Sequence, residues 1–239
     1  MLNQLSYTHV LMANIRGQLK KLTTRILRKV NRRITSYSSI NFGRNLLGLK
    51  EYFEHIWEKT GTQGCIVELG FGYGSTFLIL ADIAEKSGVR IFGFDSFKGF
   101  PEPSKFDASL RNPKRGEWSH RSYLEANRQL EEFGFSSSFI LKDVELLEGF
   151  VEDTLKDFSP PPISLVHVDL DLGSGYDIAL RTLWPFLMEK GIVCFDEYAD
   201  PKWPGATQVI DTFCAMHNLE IQKDICGKFY IQKVSGSIL

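Results

Sequence analysis

The sequence predicts a Rossmann-like α/β domain: a seven-stranded, mostly parallel sheet with a closing antiparallel strand, covered by helices, with further helices at the N-terminus. Three observations carry this. Short apolar, β-branched runs alternate with helix-length patterns from Cys65 onward, the order expected of strands joined by crossover helices. The first run, Cys65-Ile66-Val67, enters the glycine turn E-L-G-F-G-Y-G-S (68–75). The last two runs, Leu219–Lys223 and Phe229–Lys233, flank a turn at Cys226-Gly227-Lys228, so they form an antiparallel pair.

The N-terminal portion is built differently. Residues 1–50 contain ten Lys or Arg and no acid, whereas the remainder holds 18 basic and 29 acidic residues, so a net charge of −1 hides a strong asymmetry. Leu11, Ile15, Leu19, Leu22, Ile26, Val30 and Ile34 recur at helical spacing among these bases. The stripe fits a helix packed on the catalytic domain or on a second subunit in a homo-oligomer. It also fits a basic amphipathic helix on an anionic membrane through residues 11–34, or an organellar transit peptide. The expected division is a basic helical segment over 1–60 and a catalytic domain over 61–239.

Thr35–Gly43 reads as a loop and Leu46–Lys59 as a helix. The expected order then runs strand Cys65–Leu69, helix Ser75–Lys86 and strand Arg90–Phe94. A polar, proline-bearing loop, Phe97–Trp118, leads to helix Ser122–Phe133. Strands Ser138–Leu141 and Ile163–Asp169, helix Tyr176–Lys190, strand Ile192–Phe195 and helix Ala206–His217 precede the closing pair. Composition excludes several classes. Cys65, Cys194, Cys214 and Cys226 lie far apart with no C-x-x-C pair, against a zinc or redox site and in favour of a reducing cytoplasm. No stretch approaches the ~20 apolar residues of a membrane span. The acidic body and the lack of an N-P-P-Y motif argue against a nucleic-acid partner, and no G-x-S-x-G elbow is present.

The candidate chemistry gathers at the strand ends, where such sheets bind ligands. Gly70, Gly72 and Gly74 give the spacing G-x-G-x-G, which lets a ligand lie against the backbone. Glu68 ahead of them repels phosphate and suits a cationic ligand. S-adenosylmethionine, with an amino group and a sulfonium, fits, and Ser75 opens the following helix. Asp95 ends the next strand and is placed to accept from both ribose hydroxyls. Gly149 and Phe150 leave the third strand, where the ring would stack on adenine. The fourth strand ends in Asp169 and Asp171 and the fifth in Asp196 and Glu197. Carboxylates so crowded repel one another unless a cation intervenes, and an all-oxygen set suits Mg²⁺. Asp169, Asp196 and Glu197 are the expected ligands; Asp169 acts in catalysis through the ion, and Asp171 either joins them or takes the hydroxyl proton. His167 reads as a structural histidine, and His120 as a solvated loop residue.

These residues resemble the macrocin O-methyltransferase family, whose best-known members methylate deoxysugars on macrolide antibiotics. The resemblance covers Ile66–Phe213 and rests on E-L-G-F-G-Y-G-S-T (68–76), F-D-S-F-K-G-F-P-E-P (94–103), G-F-V-E-D-T-L (149–155), H-V-D-L-D-L (167–172), F-D-E-Y (195–198) and W-P-G-A-T (203–207). It implies a class I S-adenosylmethionine-dependent fold, Mg²⁺-dependent O-methylation of a small-molecule acceptor, a sugar hydroxyl, and metal ligation by Asp169, Asp196 and Glu197. That placement of acids is similar to catechol-type O-methyltransferases. It also implies that the loop from Pro101 to Trp118 closes over the ligands. Two departures bear on the site: the family's D-x-D-L-Y-x-S-T is D-L-D-L-G-S-G-Y here (169–176), losing an aromatic at Gly173, and Glu197 stands where Asp is more usual. Two other readings compete: an iron hydroxylase using His167 and Asp169, and a non-catalytic protein of this fold that binds a partner or membrane.

Overall fold

The computed structural model describes residues 46–61, 63–224 and 226–234. The stripe over residues 11–34 lies outside them. The elements are α1 (Leu46–Thr60), β1 (Cys65–Leu69), α2 (Ser75–Ser87), β2 (Ile91–Asp95), α3 (Tyr123–Phe133), α4 (Ser137–Asp143), β3 (Val144–Glu148), α5 (Val151–Thr154), β4 (Ile163–Val168), α6 (Gly173–Leu183), β5 (Leu187–Phe195), α7 (Pro204–His217), β6 (Gln222–Lys223) and β7 (Phe229–Gln232), with short 3₁₀ turns at Lys105–Asp107 and Trp184–Phe186.

The sheet order is β3-β2-β1-β4-β5-β7-β6. β1 pairs parallel with both β2 and β4, and β4 with β5, while β7 runs antiparallel to its two neighbours. The chain therefore reverses its direction of winding between β1 and β4, where ligand crevices form in such sheets. The central strands β1 and β4 are buried along their whole length, which explains their unbroken apolar runs.

One face of the sheet packs Val67, Leu69, Phe94, Val166, Val168 and Phe195 against α6 and α7 through Tyr176, Leu180, Ile210 and Phe213. On the other face, Phe53 of α1 stacks edge-on to the His167 ring at 5.0 Å. Tyr52, Phe53 and Ile56 are all buried, so α1 is held by packing that its own short length could not replace.

Several expected elements differ. Ser138–Leu141 is helical, because Ser136 Oγ accepts from Phe139 N at 3.2 Å and starts α4. The third strand lies at Val144–Glu148, an edge position where only Leu146 is fully buried, so its alternation is weak in the sequence. The helix expected over Tyr176–Lys190 begins at Gly173 and ends at Leu183. Pro185 lacks the amide needed to continue it, and the chain passes through a 3₁₀ turn into a longer β5.

Phe53→Ala removes a fully buried ring from α1 and is expected to cost about 3–5 kcal/mol. Urea denaturation followed by circular dichroism measures it, and a loss below 1 kcal/mol would mean that α1 is not part of the cooperative core.

Candidate active site

The glycine turn is shaped by close backbone approach. Gly70 has φ +93°, and a Cβ there would lie 1.9 Å from the carbonyl oxygen of Asp169, so only glycine fits between β1 and the end of β4. Gly72 has φ +49° with open space around its Cβ position, and Gly74 has φ +80° at the start of α2. No side chain caps α2, so the amides from Ser75 onward face the crevice with the positive end of the helix dipole.

Asp95 is committed to this turn. Its Oδ2 accepts from Phe71 N and Gly72 N, both at 2.9 Å, and its Oδ1 from Phe97 N at 2.6 Å. Three of a carboxylate's roughly four lone-pair sites are thus occupied, leaving capacity for one ribose hydroxyl where the sequence suggested two. Gly149 N donates to Asp95 O at 2.9 Å. Phe150 is half-buried and precedes α5, its carbonyl accepting from Thr154 N and Thr154 Oγ1.

Glu68 is 1% exposed. His167 Nδ1 lies 3.0 Å from its Oε1, while Oε2 is buried without a hydrogen-bond partner. β1–β4 register sets this pair, since Glu68 aligns with His167. Burial, then the charges of Asp169, Asp95 and Asp196, push the Glu68 carboxyl well above the ordinary carboxylate range.

The acids at the ends of β4 and β5 fall into two overlapping groups. The ligand atoms of His167, Asp169 and Asp196 lie within 4.8 Å of one another, and so do those of Asp169, Asp171 and Glu197. Asp169 is common to both. Neither group holds Asp196 and Glu197 together, and the Glu197 side chain is buried. There its Oε2 accepts from Asp171 N at 3.3 Å and meets the Tyr176 hydroxyl. Tyr176 Oη also lies 2.8 Å from Val168 O. A phenol has one proton, so the Tyr176 hydroxyl shares it between Val168 O and Glu197 Oε2. Burial and then Asp169, Asp171 and Asp196 push the Glu197 carboxyl well above its ordinary range, against the Tyr176 hydrogen bond, which lowers it. Asp171 is 6% exposed and takes φ +63° in the tight turn into α6.

Several site neighbours escaped sequence reasoning. Lys228 Nζ donates to Asp196 Oδ1. Asp107, 2% exposed, accepts from Gly173 N at 2.8 Å and from Ser104 N at 2.9 Å, fastening the loop after β2 onto the start of α6. A Cβ on Gly205 would lie 2.3 Å from Asp107 Oδ1, and one on Gly173 would meet the Gly205 backbone. Neither Gly173 nor Gly205 thus has room for a side chain. Beside this contact a cleft of about 320 Å³ is lined by Phe106, Ser174, Val209, Phe213 and Met216. His120 stacks on Tyr73 of the glycine turn at 4.1 Å. Trp118, with φ +66°, meets Trp203 beyond β5 at 5.6 Å, and Arg111 lies over both indoles.

Comparison with known proteins identifies the family and the fold. The family model for macrocin O-methyltransferase (TylF) matches residues 12–230. Among solved structures, the chain is similar to the O-methyltransferase NovP, with 21% identity over 77% of this chain and 79% of that one and a TM-score of 0.64. It is similar to CalS11, calicheamicin methyltransferase, with 22% identity over 88% and 91% and a TM-score of 0.66. The S-adenosylhomocysteine-bound methyltransferase PaMTH1 of Podospora anserina shares 18% identity over 86% and 87%, with a TM-score of 0.53. No curated protein matches the chain.

The state of Glu68 gives a pH prediction. Its folded value lies above the ordinary 4.5, so the folded chain holds this proton more tightly than the unfolded one. The stability it contributes is present below 4.5 and is lost as pH rises from there toward the folded value. In buffer containing a chelator, the stability of Glu68→Gln relative to the parent is expected to increase steadily with pH. A pH-independent difference in urea midpoints would contradict this.

Proposed function

The chain belongs to the macrocin O-methyltransferase family, and we propose that it carries the methyl of S-adenosylmethionine to a hydroxyl of a sugar or glycosylated natural product, with Mg²⁺ at the acid cluster. The observation that carries this reading is the buried, unpartnered Oε2 of Glu68 beside the glycine turn. An isolated buried acceptor is costly, and an ammonium group from a bound ligand satisfies it. The uncapped start of α2 offers its first amides to that ligand's carboxylate, Asp95 accepts one ribose hydroxyl, and Phe150 stacks on the adenine.

Asp169, with Asp196 on one side and with Asp171 and Glu197 on the other, offers oxygen donors that fit a hard divalent ion and repel one another without it. When bound, such an ion makes an acceptor hydroxyl more acidic. Asp169, common to both acid groups, stands at the centre. Asp171 takes the hydroxyl proton as the oxygen forms its bond to the methyl carbon and the sulfonium bond breaks. The Asp107 latch holds the loop over this edge. CalS11 is described as a TDP-rhamnose 3'-O-methyltransferase, which supports a sugar acceptor here. The apolar cleft beside Asp107 suits a sugar that carries a larger apolar group. His167 is turned to Glu68, which favours a positioning role over an iron ligand.

Among the described residues no helix is long and apolar enough to cross a membrane. Cys65, Cys194 and Cys214 are buried free thiols, in keeping with a cytoplasmic enzyme. Residues 11–34 are the part that would meet a membrane surface or a second subunit.

The test is methyl transfer measured by mass spectrometry on a panel of nucleotide-linked sugars and glycosylated macrolides. Turnover is expected to vanish in EDTA and return with Mg²⁺, and Asp169→Asn is expected to lower it by about 10²-fold or more. Turnover that is indifferent to EDTA would refute the metal assignment.

A further inference from the structure

The closing hairpin delivers a lysine to the acid cluster by register. β5 and β7 pair antiparallel with Phe195 opposite Phe229, so the next positions outward are Asp196 and Lys228. There the ammonium donates to Asp196 Oδ1, with the two side chains only 29% and 11% exposed. Lys228 is tied back to Asp224 by a hydrogen bond. Asp224 N donates to Lys228 O at 2.8 Å, Gly227 N to Asp224 O at 2.9 Å, and Cys226 N to Asp224 Oδ1 at 3.2 Å. Gly227 takes the positive φ of +83° that the turn requires. Asp224 is buried, with His55 Nε2 3.6 Å from its Oδ2.

Asp196 belongs to the group whose ligand atoms lie within 4.8 Å of Asp169. A dication seated there would meet an ammonium already on one of its carboxylates. The two compete for the same oxygen and repel each other across a partly desolvated space, where salt screens them little.

We propose that Lys228 is the built-in counter-ion of the acid cluster and that its competition for Asp196 sets the affinity of the site for a divalent cation. This rests on the reading of Asp169, Asp196 and Glu197 as metal ligands. In the absence of metal, Lys228 offsets part of the repulsion that holds those acids apart. When the metal arrives, Lys228 gives up Asp196 or weakens the ion's hold on it. Neutralising Lys228 therefore strengthens metal binding, the opposite of what loss of a mere structural contact would do.

The experiment uses Mn²⁺ alone as the probe, with its free-ion electron paramagnetic resonance signal followed during titration of the full chain. The parent is compared with Lys228→Gln, with Lys228→Met, which keeps the aliphatic stem, and with Lys223→Gln. Lys223 serves as the control because it lies in the same hairpin over the Phe229 ring. Near-ultraviolet circular dichroism checks folding. Both neutral variants at Lys228 are expected to bind Mn²⁺ about tenfold more tightly or better, with Lys223→Gln like the parent. Unchanged or weaker binding by the Lys228 variants, with the parent still binding, would overturn the role of Lys228 and leave the metal site standing. Absence of binding by every folded variant would overturn the metal reading itself.

Discussion

Like-charge repulsion at one edge of the sheet is the constraint on which the site depends. Strand order and register bring Glu68, Asp95, Asp169, Asp171, Asp196 and Glu197 to the carboxyl ends of β1, β2, β4 and β5. Four of these acids are held by different devices. Backbone amides hold Asp95, Lys228 holds Asp196, Tyr176 and the Asp171 amide hold Glu197, and His167 holds one oxygen of Glu68. The second oxygen of Glu68 is left over. What remains is a demand for positive charge, and a sulfonium-and-ammonium cofactor with a divalent ion is one chemistry that meets it.

Close backbone contact makes the two halves of the site one unit. The carbonyl of Asp169 sits where a Cβ on Gly70 would be, so the glycine turn and the end of β4 cannot shift independently. The same device recurs at Gly173 and Gly205, whose missing side chains admit Asp107 and bring the loop after β2 down on α6 and α7. The ring contacts among Tyr73, His120, Trp118 and Trp203 run along that loop from the glycine turn to the segment after β5. An acceptor lying between methyl donor and acids would be bounded by these residues.

Most of this architecture was legible in the sequence because buried parallel strands write themselves as apolar runs and glycine turns have few alternatives. The third strand was misplaced because an edge strand buries little, and α6 was read too long because helical periodicity continued past Pro185. The acids were identifiable from where their strands end. Their grouping was not, since it depends on Glu197 turning back to Tyr176, a rotamer choice invisible in a string of letters. Lys228 was within reach: an antiparallel pair closed at Cys226-Gly227-Lys228 sets it opposite Asp196 once the register is known. Asp107 carried no signal, because a single acid in a polar loop of mixed charge looks solvated.

The edge formed by Glu68, the glycine turn and Asp95 is expected to receive the methyl donor. Calorimetric titration of the full chain with S-adenosylhomocysteine tests it most directly. One site per chain of micromolar affinity is expected. A folded chain that gives no heat and no saturable binding across that range would contradict it.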